Sequence, residues 1–345
     1  ILETITVERT GKRAIDKLIL LRQRLAESPE IVALVTLILV FLFFAFSAPN
    51  FLTAFALSNV LTFSSVFGIV VVGVAFLMIS GEFDLSVGSV LALGGFVFLL
   101  TLRAGVPPLL AMLLALGISA LLGLINGLIV ILLKIPSFIA TLGTLLAYRG
   151  IVRALGAGQA TSYTPDTKPA LFAVLNGFLS PINELFEPAG NFRVSSLWFI
   201  GLVIIMSFIL MRTRHGNWTF AVGGNSAAAL AQAVNVTRVK LTNFTMSGFF
   251  AGLAGVILFA QRSSMNELIG VGLELTAVAA AVIGGVVLTG GSGTIIGAAL
   301  GMLLLSMLEQ GLVLLGVTNE LFQGVVGAII IVSVIVNVYL KRQDR

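Results

Sequence analysis

Long uncharged apolar runs constrain this chain more than any other feature. Ile31 to Ser47, Val60 to Ser80 and Val106 to Leu133 contain no Asp, Glu, Lys or Arg. A helix that crosses the hydrocarbon core needs about 20 apolar residues, because the core is about 30 Å thick and a helix rises about 1.5 Å per residue. Runs of this length predict transmembrane helices. Charge content agrees: only 10% of the residues are charged, against about 25% in a soluble domain. Glycine is abundant, at 37 residues, as expected where close packing rather than water exclusion holds helices together.

The pattern predicts an all-α integral membrane protein of about ten transmembrane helices. The expected spans are Ile31–Ser47, Val60–Ser80, Leu85–Leu102, Val106–Leu133, Ile135 past Tyr148, Ser196–Met211, Leu241–Gln261, Leu275–Gly290, Thr294–Gly316 and Leu321–Leu340. Eight or nine spans are the alternative count, because the eighth is short and the fifth and ninth carry charges. Residues 1–30 are polar, with Arg9, Lys12, Arg13, Lys17, Arg22 and Arg24 interleaved with acids. They predict a cytoplasmic amphipathic tail rather than a secretory signal.

Basic residues orient the bundle. With both termini inside, the inner segments hold the N-terminal tail, Lys134, the Arg212/Arg214/Arg238/Lys240 group and the tail at 341–345. That is the positive-inside asymmetry. It accounts for the net charge of +5 without nucleic acid as a partner. Residues 149–195 form a mixed-charge external loop, in which Leu171, Phe172, Val174, Leu175, Phe178 and Leu179 recur at helical spacing. Residues 212–240 form a cytoplasmic loop. A weak internal echo joins Ile79-Ser80-Gly81…Leu85–Ser89 to Leu288-Thr289-Gly290…Thr294–Ala298, as in duplicated transporters.

Polar groups inside the apolar region are expensive and usually kept for a reason. Glu82, Asp84, Asn126 and Glu309 stand out. Asp84 is placed to accept from the Ser86 or Val87 N–H as a helix cap, or to meet substrate or a gating partner. Asn126 lies in the Gly123–Gly127 GxxxG pattern, where an interhelical hydrogen bond is expected. Glu309 is expected to line a polar path, with pairing to an arginine or outward snorkelling as alternatives. Close packing is expected at Gly248/Gly252 and along Gly293, Gly297 and Gly301. His215, the single histidine, is expected to be solvated. With no cysteine, neither disulfides nor thiolate metal sites arise. No GxxxxGK[ST] phosphate loop is present, so no cofactor is expected on this chain.

Gly81-Glu82-Phe83-Asp84-Leu85-Ser86-Val87-Gly88-Ser89 resembles the G-x-x-DLSVGS signature of the ribose-type sugar permeases of bacterial ABC importers. Asn126-Gly127, Ile135–Thr144 and Arg149-Gly150 resemble the middle of that family. Ala221–Asn225, Ala228-Ala229 and Asn235-Val236 resemble its large cytoplasmic loop. Ala279-Ala280, Ile283–Gly285, Leu288–Gly291 and Gly311–Val317 resemble its last blocks.

The resemblance implies a multi-pass inner-membrane permease that translocates a monosaccharide or similar polar solute. It implies a second permease copy, an extracytoplasmic sugar-binding protein, and a cytoplasmic ABC ATPase that binds ATP and Mg. Membrane lipid surrounds it. The stretch from Gly224 to Val236, with Gly224, Asn225, Ala228, Ala229, Asn235 and Val236 matching, should hold the helix that docks into the ATPase. Asp84, Ser86, Asn126 and Glu309 are the candidate pathway or gating residues. The chain departs from the pattern at Ala227, usually acidic, at Ala233, usually glycine, and at Glu309 and Gln310, usually asparagines. The alternative is an ion-coupled secondary transporter or channel. A membrane-embedded hydrolase or transferase lacks the nucleophile and base it would need.

Overall fold

The computed structural model describes residues 29–186, 190–318, 321, 324–328 and 331. Residues 1–28 of the expected amphipathic tail, most of the tenth expected span and the last five residues lie outside these.

Among the described residues, nine helices fall on expected spans. They are α1 (Pro29–Ser47), α2 (Ala54–Ile79), α3 (Val87–Arg103), α4 (Pro108–Leu133) and α5 (Ser137–Gly156). A short helix, α6 (Ala170–Asn176), precedes α7 (Ser195–Arg212). Two short helices follow, α8 (Arg214–Gly224) and α9 (Ser226–Ala231). The chain then forms α10 (Val236–Arg262), α11 (Leu273–Ile283) and α12 (Ile295–Leu314). Sheet among the described residues is confined to β1 (Thr161–Ser162) paired antiparallel with β2 (Ser264–Met265). Seven of the helices are long and apolar enough to cross a membrane; α3 and α11 are shorter.

Local chemistry sets the boundaries. Thr53 caps α2 by accepting from the Ala56 N–H at 3.3 Å, and Thr294 caps α12 by accepting from Gly297 at 3.0 Å. Pro108 starts α4 and Pro136 precedes α5, positions where a missing N–H costs nothing.

The bundle is built around α2 and α10. Some 83% of the apolar stretch of each is buried, against 17% in α1. Glycine permits the tight contacts. A side chain on Gly123 would overlap the Phe244 carbonyl, and one on Gly248 the Ser119 carbonyl, so α4 and α10 touch backbone to backbone. Gly297 and Gly301 similarly receive the carbonyls of Gly284 and Ala280, which lets α12 pack on α11. The outward faces of α4, α5 and α7 keep Leu132, Leu146 and Phe208 exposed, as suits helices bordering lipid.

Four expectations change. The eighth span, expected at Leu275–Gly290, is a helix only over Leu273–Ile283. At about 1.5 Å per residue it is too short to cross alone, because Gly284 and Gly285 end it, the latter at φ +88°. Residues 149–156 belong to α5, so the segment expected as an external loop leaves the helix only at Ala157. Arg149, placed by charge counting in that loop, is buried and donates to the carbonyls of Glu267 (3.1 Å) and Ile269 (2.8 Å). His215 is half-buried, bonded through Nε2 to Asn243 Oδ1 at 2.8 Å and stacked on Phe76. A single sequence cannot show that a charged or polar side chain has a carbonyl or amide waiting for it.

Candidate functional site

Polar chemistry gathers in three places: a knot inside the bundle, a junction at the end that the charge pattern predicts to be inner, and a cavity toward the opposite end, predicted to be outer.

The knot is centred on Asp84. The segment after Gly81 turns back into the bundle before α3 begins. Its Phe83 and Leu85 N–H groups donate to Ser137 Oγ (3.0 Å) and Thr141 Oγ1 (3.1 Å) of α5. Asp84 Oδ1 then accepts from the Ser86 N–H at 3.0 Å and its hydroxyl at 2.7 Å. Asn126 Nδ2 of α4 donates to the same oxygen at 3.2 Å and to Ser86 Oγ at 2.8 Å. Asp84 Oδ2 accepts from Ser247 Oγ of α10 at 3.0 Å, about three turns in from Val236. Tyr148 of α5 closes the set by donating to Asn126 Oδ1 at 3.1 Å. Asp84, Ser86, Asn126 and Ser247 have no exposed surface. Every polar atom around the carboxylate is thus paired, which is how a buried polar network becomes rigid rather than costly. The arrangement fastens the re-entering turn to three helices. Tyr148, Ser247, Ser137 and Thr141 were not legible as partners, since each is an ordinary polar residue in an apolar helix.

At the inner end three glycine turns meet. Gly81 and Gly290 both have left-handed backbones (φ +85° and +81°), and Gly291 donates to the Ile79 carbonyl at 2.8 Å. A side chain on Gly223 would overlap that carbonyl. The two members of the sequence echo therefore touch each other and the end of α8. Glu82 pairs with Lys240 of α10. Beside them lies an inner cavity of about 360 Å³ lined also by Lys134 and Ser137.

From this junction the chain continues into α9. Asn225 Oδ1 caps it, accepting from Ala227 (3.1 Å) and Ala228 (3.0 Å), and Asn235 Oδ1 caps α10 through Arg238 at 2.9 Å. Ala229 turns inward onto Val222, Val234 and Val239. Ala228 is exposed, and so is Leu230, at 65%. Gly224 ends α8, and Val236 begins α10. Ala233 sits at φ +60°, a conformation that costs a β-carbon roughly 1–2 kcal/mol. The glycine usual at this place in the resembled family has that physical reason.

Glu309 lies apart from the knot. It faces an outer cavity of about 320 Å³ between α2, α10 and α12, together with Gln310, Ser306, Asn59, Thr62 and Gln261. Of the four sequence-derived candidates, three are joined in the knot and one stands in this cavity. Asn59, Thr62 and Gln261 carried no sequence signal, because polar residues at a span's end are commonplace.

An all-helical membrane bundle broken by glycine turns, with polar stations at mid-depth and at both ends, is the architecture of a multi-pass solute permease. The chain belongs to the family described as branched-chain amino acid transport system / permease component, whose model matches residues 56–334. It is 36% identical over 310 residues to the ribose import permease of Escherichia coli K12, covering 89% of this chain and 92% of that one. It is 32% identical over 316 residues to the xylose/arabinose import permease of Sulfolobus acidocaldarius, covering 88% and 83%. It is 36% identical over 268 residues to the autoinducer 2 import system permease of an Enterobacter species, covering 77% and 74%. No solved structure matches at a significant level. The chain is therefore the permease subunit of an ABC importer, a multi-pass inner-membrane protein and a transport component rather than an enzyme. Such a subunit works with an ABC ATPase and a substrate-binding protein.

Proposed function

We propose that this permease carries a monosaccharide or related small polar solute inward by alternating access, in a complex with a second copy of the chain. The binding protein delivers the solute on the outer side. The ATPase, holding ATP and Mg, drives the cycle by hydrolysis from the inner side. Residues 212–240 form the coupling region, with α9 as the helix that docks.

One observation carries this reading. A short helix, capped by Asn225 and anchored by Ala229, presents Ala228 and an exposed Leu230 away from the bundle. It follows directly the glycine junction that touches both re-entering turns. A displacement of α9 thus has a mechanical route into the membrane region. Docking by shape and apolar contact is favoured, because Ala227 stands where an acid is usual. The family description names amino acid transport, yet the relatives above are named for pentoses and autoinducer 2, which favours a hydroxyl-rich solute.

Leu230→Asp should leave folded protein nearly unchanged, within about 0.5 kcal/mol for an exposed site, and abolish ATP-driven uptake in vesicles containing the full complex. Ala229→Asp should instead destabilise the loop itself by burying an unpaired charge. Full uptake by the Leu230 variant would contradict docking through α9. Ion-driven uptake by the purified chain alone would overturn the importer mechanism.

A further inference from the structure

Cationic and lipid-facing side chains meet at the cavity of about 360 Å³ beside the glycine junction. The end of α4 contributes Val130, Ile131 and Lys134 to its walls, and the start of α10 contributes Val236, Thr237 and Lys240. Its charges do not cancel. Glu82, Lys134 and Lys240 are the charged residues that line it. Glu82 is committed to Lys240, and Lys134 pairs with no acid among the described residues. One positive charge is left over, on an exposed side chain in the left-handed turn (φ +53°) that ends α4.

Neutral donors stand beside that charge. Ser137 lines the same cavity and is only 7% exposed. Its Oγ accepts from the Phe83 N–H at 3.0 Å, which leaves its hydroxyl hydrogen to donate elsewhere. Thr237 adds a second hydroxyl, exposed in the first turn of α10. Both α5 and α10 begin at this cavity. The first N–H groups of a helix have no partner within it and form the positive end of its dipole. These features together suit an anion.

The surroundings of the cavity point to the source of that anion. Leu132 and Leu133, beside Lys134, and Phe138 and Ile139, beside Ser137, are between 56% and 70% exposed. Arg212, Arg214 and Arg238 mark this end as the one predicted to lie inside. A phosphate at headgroup depth with acyl chains against an apolar rim satisfies both features, whereas a soluble phosphate makes no use of the rim. Basic pockets between membrane helices on the cytoplasmic side suit anionic lipid headgroups for this reason.

We propose that this cavity binds the headgroup of an anionic phospholipid, with the Lys134 ammonium and the Ser137 and Thr237 hydroxyls donating to its phosphate. The acyl chains lie along the exposed apolar side chains of α4 and α5. The site goes beyond the importer reading and holds whatever solute is carried. Ser137 also holds the Phe83 N–H, and Lys240 also holds Glu82. An occupied site therefore braces the re-entering turn.

The full chain in mild detergent is titrated with dioleoyl phosphatidylglycerol or dioleoyl phosphatidylcholine, and bound lipid is counted by native mass spectrometry. One lysine at a membrane surface corresponds to about fivefold in affinity for anionic lipid, so phosphatidylglycerol should bind at least about fivefold more tightly than phosphatidylcholine. Lys134→Asn, a residue type at ease in a left-handed turn, should erase most of that preference, and Lys134→Arg should keep it. Thr237→Trp fills the cavity from an exposed position without changing charge, and it should erase the preference too. Either of the two disruptive variants carries the test if the other fails to fold. Lys168→Asn, at an exposed lysine between α5 and α6, should change nothing. Equal affinity for the two lipids would overturn the site. A preference that survives Thr237→Trp would reduce it to attraction at the open surface, and one that survives Lys134→Asn would overturn the role of Lys134. Displacement of phosphatidylglycerol by glycerol 3-phosphate as effectively as by a second anionic lipid would overturn the lipid as occupant in favour of soluble phosphate.

Discussion

The Asp84 knot and the Glu309 cavity both place an acid within an apolar bundle, and their surroundings are opposite. Around Asp84 the four donors from Ser86, Asn126 and Ser247 leave no carboxylate oxygen unpaired and no surface exposed. Around Glu309 there is open volume, lined also by Arg262, Thr62, Asn59 and Gln261, and the amide oxygens of Asn59 and Gln261 accept from Asn191 and Asn176. A satisfied acid fastens the segments around it, whereas one beside open volume does not. Both look alike in sequence, as a carboxylate where lipid-facing chemistry forbids one.

The difference is open to direct attack, beginning where the effect should be largest. Asp84→Ala would strand Ser86, Asn126 and Ser247 inside the bundle, at about 1–3 kcal/mol for each unpaired group. Little folded protein should survive detergent extraction in a size-exclusion assay. Near wild-type yield and melting temperature would show that the knot does not fasten the turn. A smaller loss is expected for Ser247→Ala, which removes one hydrogen bond to the carboxylate and should cost about 1.5–3 kcal/mol, seen as a lowered melting temperature with uptake partly retained. Thr62→Val should have the smallest effect on folding, neutral or slightly stabilising, since its hydroxyl has no partner to lose. A fall in melting temperature as great as that of Ser247→Ala would erase the contrast between the two regions.

Much of the fold was legible because lipid leaves few options. Nine expected spans fall on helices, with ends moved by a few residues where Thr53, Pro108 or Asn235 capped or started them. The eighth misled because apolar content continues through Ile283–Leu288 while the backbone does not remain helical past Gly284. Hydropathy measures the solvent a segment prefers, not whether its hydrogen bonds stay local. The candidate residues were picked by the cost of burying them, and that criterion found Asp84, Asn126 and Glu309. It could not find Tyr148, Ser247 or Thr62, whose neutral hydroxyls are far cheaper to bury than a charge and so do not stand out in an apolar helix. Nor could it distinguish Ala228 from Ala229, which are neighbours in the chain and face opposite ways.

The sequence by itself determined that this chain lives in a membrane, where most of its apolar helices lie and which family it belongs to. Those are consequences of length, charge and local motifs, each readable within a few dozen residues. Tertiary structure alone decided which polar residues complete one another. It brought Asp84 to Ser247 across 163 positions, closed the two echoing turns against α8, and left Thr62 without a partner beside Glu309. The physical reason is range. Hydrophobic transfer is additive along the chain, whereas a hydrogen bond exists only at about 3 Å, and which groups come that close is settled by how the helices pack.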